Sequence, residues 1–254
     1  MRSQFWGLYV REVLRTVRNP FVLLITVVQP FMWLAFFGSG FAKYASDLAT
    51  YYGTSNYIAF LLPGVLSTSM LSVGMFGSMS TIQDKRFGFM KRILITPTSK
   101  GVIFYAKAMG SATRGLIQIP VMIAAAIAFG VTFHLSVLDW FVWLTALVFT
   151  AIGFSSMFLA ITASSTDWQT PGVVANFITM PLMFSSAALY PSSGFPDWMK
   201  VISEFNPISY VATLGRALVL GHGVEWTQFG YLAIFAVVML AVGHAVSARW
   251  LKVE

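Results

Sequence analysis

Gly153-Phe154-Ser155-Ser156 in one long apolar run and His244 in another are the closest this 254-residue chain comes to a catalytic pair. A serine activated by an imidazole base would carry out nucleophilic hydrolysis through a covalent intermediate. Little else offers chemistry. The chain has no cysteine, which removes disulfides, thiolate nucleophiles and cysteine-ligated metal sites. It has no Gly-x-x-x-x-Gly-Lys-Ser/Thr loop to cradle a nucleotide. No Asp or Glu falls deep in an apolar run, where a proton- or ion-coupled carrier would need one.

The elements that would hold such residues follow from composition. At 57% hydrophobic, 16% aromatic and 10% charged, with a mean hydropathy of +0.75, the chain lies outside the range of soluble domains. An all-α integral membrane protein is expected, a single transmembrane domain over 1–254. A helix needs about 20 apolar residues to cross the hydrocarbon core. Six segments qualify: 21–41, 57–82, 110–133, 138–163, 171–190 and 226–248. The apolar signal from Val102 is too long for one upright span. Lys107 and Arg114 predict that its first part lies along the interface, with Arg114 near the membrane edge.

Residues 1–19 read as an amphipathic interfacial helix. Phe5, Tyr9, Val13 and Val17 form one stripe; Arg11, Glu12, Arg15 and Arg18 form the opposite, polar arc. Leu8 does not fit the pattern. Asn19-Pro20 ends the helix. This segment lacks the uninterrupted apolar core and the small-residue cleavage site of a secretory signal, so the first apolar run is expected to stay in place.

Lys and Arg in the connections set the orientation. Thirteen fall at the termini and in the loop after the second span with its helix entry, and none after the fourth span; only Lys43, Lys200 and Arg216 fall on the other side. Both termini are therefore expected in the cytoplasm. The net charge of +7 belongs to this asymmetry and implies no nucleic acid. Orientation also bears on the serine. Counted from Leu138, Ser155 lies about 25 Å down its span at 1.5 Å per residue. A rhomboid-like intramembrane serine protease needs a shallow, wetted serine, so a small-residue packing face is the better reading.

Two spans are weakly polar and rich in methionine. Ser67, Met70, Met75 and Phe76 in the second, and Asn176, Thr179, Met180, Met183 and Phe184 in the fifth, are candidates for a substrate path. Methionine adapts its shape to varied ligands. Small and hydroxylic residues also permit close helix packing, and both readings stand. The connection 191–225 should cap the external side. Trp198 and Phe205 belong to a short amphipathic helix there. Asn206-Pro207 opens a second piece, including Tyr210, too short to span and fit for a re-entrant or interfacial helix.

Residues 83–101 pose the sharpest question, because five of the sixteen Lys and Arg gather there: Lys85, Arg86, Lys91, Arg92 and Lys100. A topology anchor explains the charge. It does not explain Phe87, Phe89, Met90, Ile93, Leu94 and Ile95. The pattern from Lys85 to Ile95 predicts a short helix, stopped by Thr96-Pro97, whose apolar residues meet headgroups or a partner's groove.

Taken in order, these features resemble the membrane subunits of ABC-2 type ABC exporters. The amphipathic first helix, the charged Gly-containing loop running into Leu94-Ile-Thr-Pro-Thr-Ser99, Asn206-Pro-Ile-Ser-Tyr210, and Ala212 followed by Gly215-Arg-Ala-Leu218 carry the likeness across essentially the whole chain. Lys85-Arg86 after Asp84 departs from the family, which more often has acidic residues before that glycine. The resemblance implies a permease, not an enzyme, with no cofactor of its own; ATP and Mg would sit on a separate ABC ATPase subunit, present in two copies. A second copy of this chain would complete a homodimer in a prokaryotic cytoplasmic membrane, with the path at the dimer interface. The cargo would be a hydrophobic or amphipathic drug, lipid or glycan, with polysaccharide or lipid-linked glycan export as the alternative. Lys85, Arg86, Phe87, Phe89, Met90, Lys91 and Arg92 would couple to the ATPase, and Asp167 and Trp168 would form a second contact.

Overall fold

Asn19 and Pro20 break the chain as the sequence requires. Helix α1 (Arg2–Val17) ends just before them, and α2 (Pro20–Gly40) starts with Val22 N–H donating to Asn19 Oδ1 at 3.2 Å. Proline suits a first helical position because the N–H it lacks would have no partner there. The computed structural model describes residues 2–40, 56–165 and 169–250.

Helix α3 (Tyr57–Arg86) is the axis of the molecule and is buried over most of its length. Asn56 caps it by accepting from Ile58 and Ala59 N–H. It runs past the expected end at residue 82, because nothing interrupts it until Gly88, whose φ of 71° only glycine adopts cheaply. That reversal leads into the short α4 (Phe89–Leu94). Helix α5 (Lys100–Ala128) follows, then α6 (Val137–Ser164), started by a reciprocal cap between Ser136 and Asp139. The remaining helices are α7 (Thr170–Phe184), α8 (Asp197–Glu204), α9 (Pro207–Val219) and α10 (Trp226–Trp250).

α6 lies between α3 and α10, and glycines set the approach. A Cβ on Gly74 of α3 would stand 2.8 Å from the Phe154 carbonyl carbon of α6. The core around this contact holds Trp143, Phe154, Phe158, Phe60, Leu66 and Met70. Phe60, near the start of α3, and Arg86, at its end, are about 39 Å apart along the helix. Thus α9, which touches Phe60 and Pro63, and α4, which follows Arg86, lie at opposite ends of the bundle.

Among the described residues, five helices (α2, α3, α5, α6, α10) are long and apolar enough to cross a membrane, and α7 is a shorter apolar helix. The segment expected as a span over 171–190 is helical only to Phe184, about 22 Å of helix. Its end is set from α9. Asn206 Nδ2 donates to Leu182 O at 2.6 Å and to Ser185 Oγ at 3.3 Å, and the Arg216 guanidinium binds the carbonyls of Ala187 and Ala188. Backbone freed from a helix at membrane depth needs such partners.

Two expectations at the other end need correcting. No break separates the stretch from Val102 from the span expected to open at 110. α5 is one continuous helix from Lys100, and Lys107 is buried inside the protein. The polar arc of α1 does not face headgroups alone: Glu12 and Thr16 are buried, because the carboxylates and cations of α1, α3 and α5 satisfy one another there. Leu8, the misfit of the helical pattern, packs against the cluster of Met90, Ile93, Ile103 and Ala163.

Candidate functional site

The connection between α3 and α5 divides its residues between two faces. Inward, Met90 and Ile93 pack with Ile103, Ala163, Leu8 and Phe89, tying α4 to α1, α5 and α6. The Arg11 guanidinium carbon stands 3.6 Å from the centre of the Phe89 ring, a cation–π contact. Lys85 Nζ donates to Thr162 O, Ala163 O and Ser165 O at 2.9, 3.0 and 3.0 Å. A cation on the last carbonyls of α6 meets both their open lone pairs and the negative end of the helix dipole. Outward, Phe87 and Ile95 are 76% and 77% exposed, and Arg86, Lys91 and Arg92 are exposed beside them. The predicted Lys85–Ile95 helix is thus shorter, and Lys85, Phe89, Met90 and Ile93 are engaged within the chain. Asp167 and Trp168 lie outside the described residues.

Behind this connection sits an ionic cluster that sequence reasoning missed. Asp84, at the end of α3, accepts from Lys107 Nζ at 2.6 Å, from Arg11 at 2.8 and 3.2 Å, and from Arg15 at 3.4 Å. Glu12 Oε1 accepts from Lys107 Nζ at 3.0 Å and from Arg11 at 3.2 Å, and Ser80 Oγ takes a third Lys107 hydrogen bond. Arg114 Nε donates to Thr16 Oγ1 at 2.9 Å just beyond. Burying such charges is tolerable only when they are paired and hydrogen-bonded. The signal was present: the whole chain has nine acidic residues, and two of them sit beside cations, Glu12 next to Arg11 within the amphipathic α1 and Asp84 next to Lys85 at the end of the apolar α3.

A half-open cleft of about 60 Å³ lies between α2, α3 and α5. Gln29, Trp33, Ser72, Phe76, Arg114 and Gln118 are among its walls, and Met183 of α7 reaches it. Two candidate path residues, Phe76 and Met183, therefore meet there. Thr179 Oγ1 donates to Met75 Sδ at 3.8 Å, joining α7 to α3. Asn176, Met180 and Phe184 lie exposed on α7. Ser67 and Met70 are elsewhere: both are fully buried, with Ser67 donating to Pro63 O at 2.6 Å and Met70 seated against Gly115.

At the opposite end, Trp198 and Phe205 are exposed while Asn206 and Pro207 are buried at the start of α9. Tyr210 donates to Glu204 O and stacks on Tyr231 at 5.0 Å. Arg216, counted in the sequence as an external loop cation, is instead buried, donating to Phe60 O at 2.9 Å with its plane over the Phe60 ring.

The serine–histidine pair does not form. Ser155 Oγ is buried with no hydrogen-bond partner, and its backbone packs on Gly74 of α3. His244 stacks on Tyr105 at 5.5 Å and touches Gly101 of α5. A nucleophile without a base in reach has no route to activation.

The ABC-2 type transporter family matches residues 3–220. A protein named as a transport permease, ycf38 of Cyanophora paradoxa, is 28% identical over 82% of this chain and 71% of its own length. The daunorubicin resistance ABC transporter permease protein DrrB1 of Streptomyces coeruleorubidus is 22% identical over 85% of this chain and 77% of its own. The inner membrane transport permease YadH of Escherichia coli is 25% identical over 93% of each. With apolar helices long enough to cross a bilayer several times and a family match over nearly the whole chain, the protein is a multi-pass transport permease and belongs to the ABC-2 type transporter family.

Proposed function

We propose that this chain is the permease half of an ATP-driven exporter, with α4 and its flanks as the seat for a separate ABC ATPase subunit. The observation that carries the reading is the division of that connection: Met90, Ile93, Phe89 and Lys85 lock it to α1, α5 and α6, while Phe87 and Ile95 stay exposed among cations. A docked helix with cations on its outer face and an exposed apolar side chain at each end transmits a partner's movement to the helices beneath it. Arg86, Lys91 and Arg92 surround those side chains and would meet acidic groups on the partner; Asp167 and Trp168 would add a second contact.

ATP and Mg would be held by two ATPase chains, and two copies of this chain would enclose the path. ATP need only bind better to one arrangement of the dimer to drive the helices between states. The exposed face of α7, with Val173, Phe177, Met180 and Phe184, suits contact with the second copy or with cargo. α7 would serve as the sixth spanning segment, completed by the turn that Asn206 and Arg216 hold, with α8 and α9 capping the external side. The excess of Lys and Arg at the α1–α4 end favours both termini in the cytoplasm of a prokaryotic inner membrane. A hydrophobic or amphipathic cargo moving outward agrees with the weakly polar walls and with the drug resistance named for one relative.

Co-purification with a co-expressed ABC ATPase subunit from the same organism tests the reading. Wild type should hold the ATPase, and Phe87→Ala/Ile95→Ala should lose it while keeping its own thermal stability. An ATPase held equally by both proteins would remove α4's outer face from the coupling role.

A further inference from the structure

We propose that the cleft between α2, α3 and α5 takes an anionic amphiphile, its phosphate or carboxylate seated on the Arg114 guanidinium and its tail along Phe76, Trp33 and Met183. This inference rests on the exporter reading and names the class of cargo that the same membrane helices admit.

The charges around the cleft do not balance. Arg11, Arg15, Lys107 and Arg114 bring four cations to the junction of α1, α3 and α5, against the two carboxylates of Glu12 and Asp84. Those carboxylates are already engaged: Asp84 by Lys107, Arg11 and Arg15, Glu12 by Lys107 and Arg11. Arg11 and Arg15 keep about a third of their side chains exposed and can reach water or headgroups. Arg114 is different. It is 9% exposed, donates through Nε to Thr16, and lines the cleft. A guanidinium carries five donors and holds its charge in any surroundings, so in a low-dielectric site it calls for an anion that accepts from its fork.

Burial and lining select an amphiphile over a free ion. Arg114 is enclosed by the protein on most sides, and a small hydrated anion would have to shed its water to reach it. A lipid-like molecule brings its headgroup sideways from the bilayer, its tail staying among apolar walls. The lining has that polarity: Gln118, donating to Ser69 at 2.9 Å, lies one turn beyond Arg114 on α5, while Trp33, Val73, Phe76 and Met183 supply the apolar surface.

The test titrates the purified full chain in maltoside detergent, without ATP or ATPase, using fluorophore-acyl phosphatidylglycerol, the matching phosphatidylcholine, and inorganic phosphate as competitor. Phosphatidylglycerol should bind about tenfold or more tighter than phosphatidylcholine, the scale of one charge-assisted hydrogen-bond pair. Arg114→Gln should abolish the preference, and Arg114→Lys should keep part of it. Ser72→Trp, which fills the cleft while keeping the Arg114 charge, should weaken phosphatidylglycerol binding in a protein that still elutes as a single species. Equal binding of the two lipids by wild type would overturn the proposal, as would a preference that survives Arg114→Gln. Displacement by inorganic phosphate at matched concentration would mark a free-anion site and overturn the amphiphile. Should Arg114→Gln fail to fold, Ser72→Trp decides, and unchanged binding there counts against the cleft. ATPase capture through α4 is read separately, so loss of the lipid preference with capture intact sinks this inference alone.

Discussion

Asp84→Ala should be among the most damaging single changes at the α4 end of the protein, although it touches neither cargo nor partner. The Asp84 side chain is 3% exposed and accepts from Lys107 at 2.6 Å, Arg11 at 2.8 Å and Arg15 at 3.4 Å. Removing it leaves Lys107, 5% exposed, sharing Glu12 with Arg11. Breaking a buried ion pair from one side costs about 3–5 kcal/mol, because the surviving charge stays buried. Arg11 and Arg15 can turn toward water, so their part is discounted and the lower figure, about 3 kcal/mol, is expected. That is roughly a hundredfold in the unfolding equilibrium. Reversible unfolding in mixed detergent micelles, followed by circular dichroism, reads it directly. Asp84→Ala/Lys107→Met removes the stranded charge and should recover about 1–2 kcal/mol of the loss. A single variant within about 0.5 kcal/mol of wild type, or a double variant whose loss is the simple sum, would refute the reasoning.

Gly64→Ala should destabilise by about 1–3 kcal/mol or more, since its Cβ would stand 1.8 Å from Ala188 O, in a turn that Arg216 holds in place; the readout is a lowered thermal midpoint together with weaker disulfide cross-linking between cysteines placed on α3 and α7. Ser155→Ala should be neutral or slightly stabilising and leave partner-dependent transport unaffected, because the hydroxyl it removes has no hydrogen-bond partner; a proteolytic activity lost in a stable variant would revive a catalytic role. Met90→Ala should cost about 2–3 kcal/mol, as a side chain 4% exposed is removed from between α1, α5 and α6, whereas Phe87→Ala should leave stability unchanged. Equal stability of those two variants would contradict the inward–outward division.

The spans were legible because bilayer thickness acts on length and composition alone: α2, α3, α5, α6 and α10 all overlap their expected segments. Asn19-Pro20 and Asn206-Pro207 were legible for the same local reason, a cap beside a proline at a helix start. Tertiary pairing was not. Arg216 looked like a loop cation, because nothing local announces that its fork will meet carbonyls of residues 187 and 188. The polar arc of α1 looked like a headgroup-facing surface, because the pattern of a helix that lies on lipid is the same as that of one turning its charges toward Asp84 and Lys107. Lys85 and Met90 carried the right types for a partner contact, yet the three-dimensional positions of Thr162 and Ile103 draw them inward. Periodicity names a face; it does not say what the face meets.

The chain has no cysteine, so a single introduced thiol reports on one position. Phe87→Cys, labelled in native membranes with a benzophenone maleimide and irradiated, tests the coupling surface most directly, with Val137→Cys, 88% exposed at the start of α6, as the control. A coupling role for α4 predicts a cross-linked product from position 87 that contains an ABC ATPase by peptide mass, and none from position 137. No ATPase from position 87, or equal capture from both ends of the bundle, would contradict it.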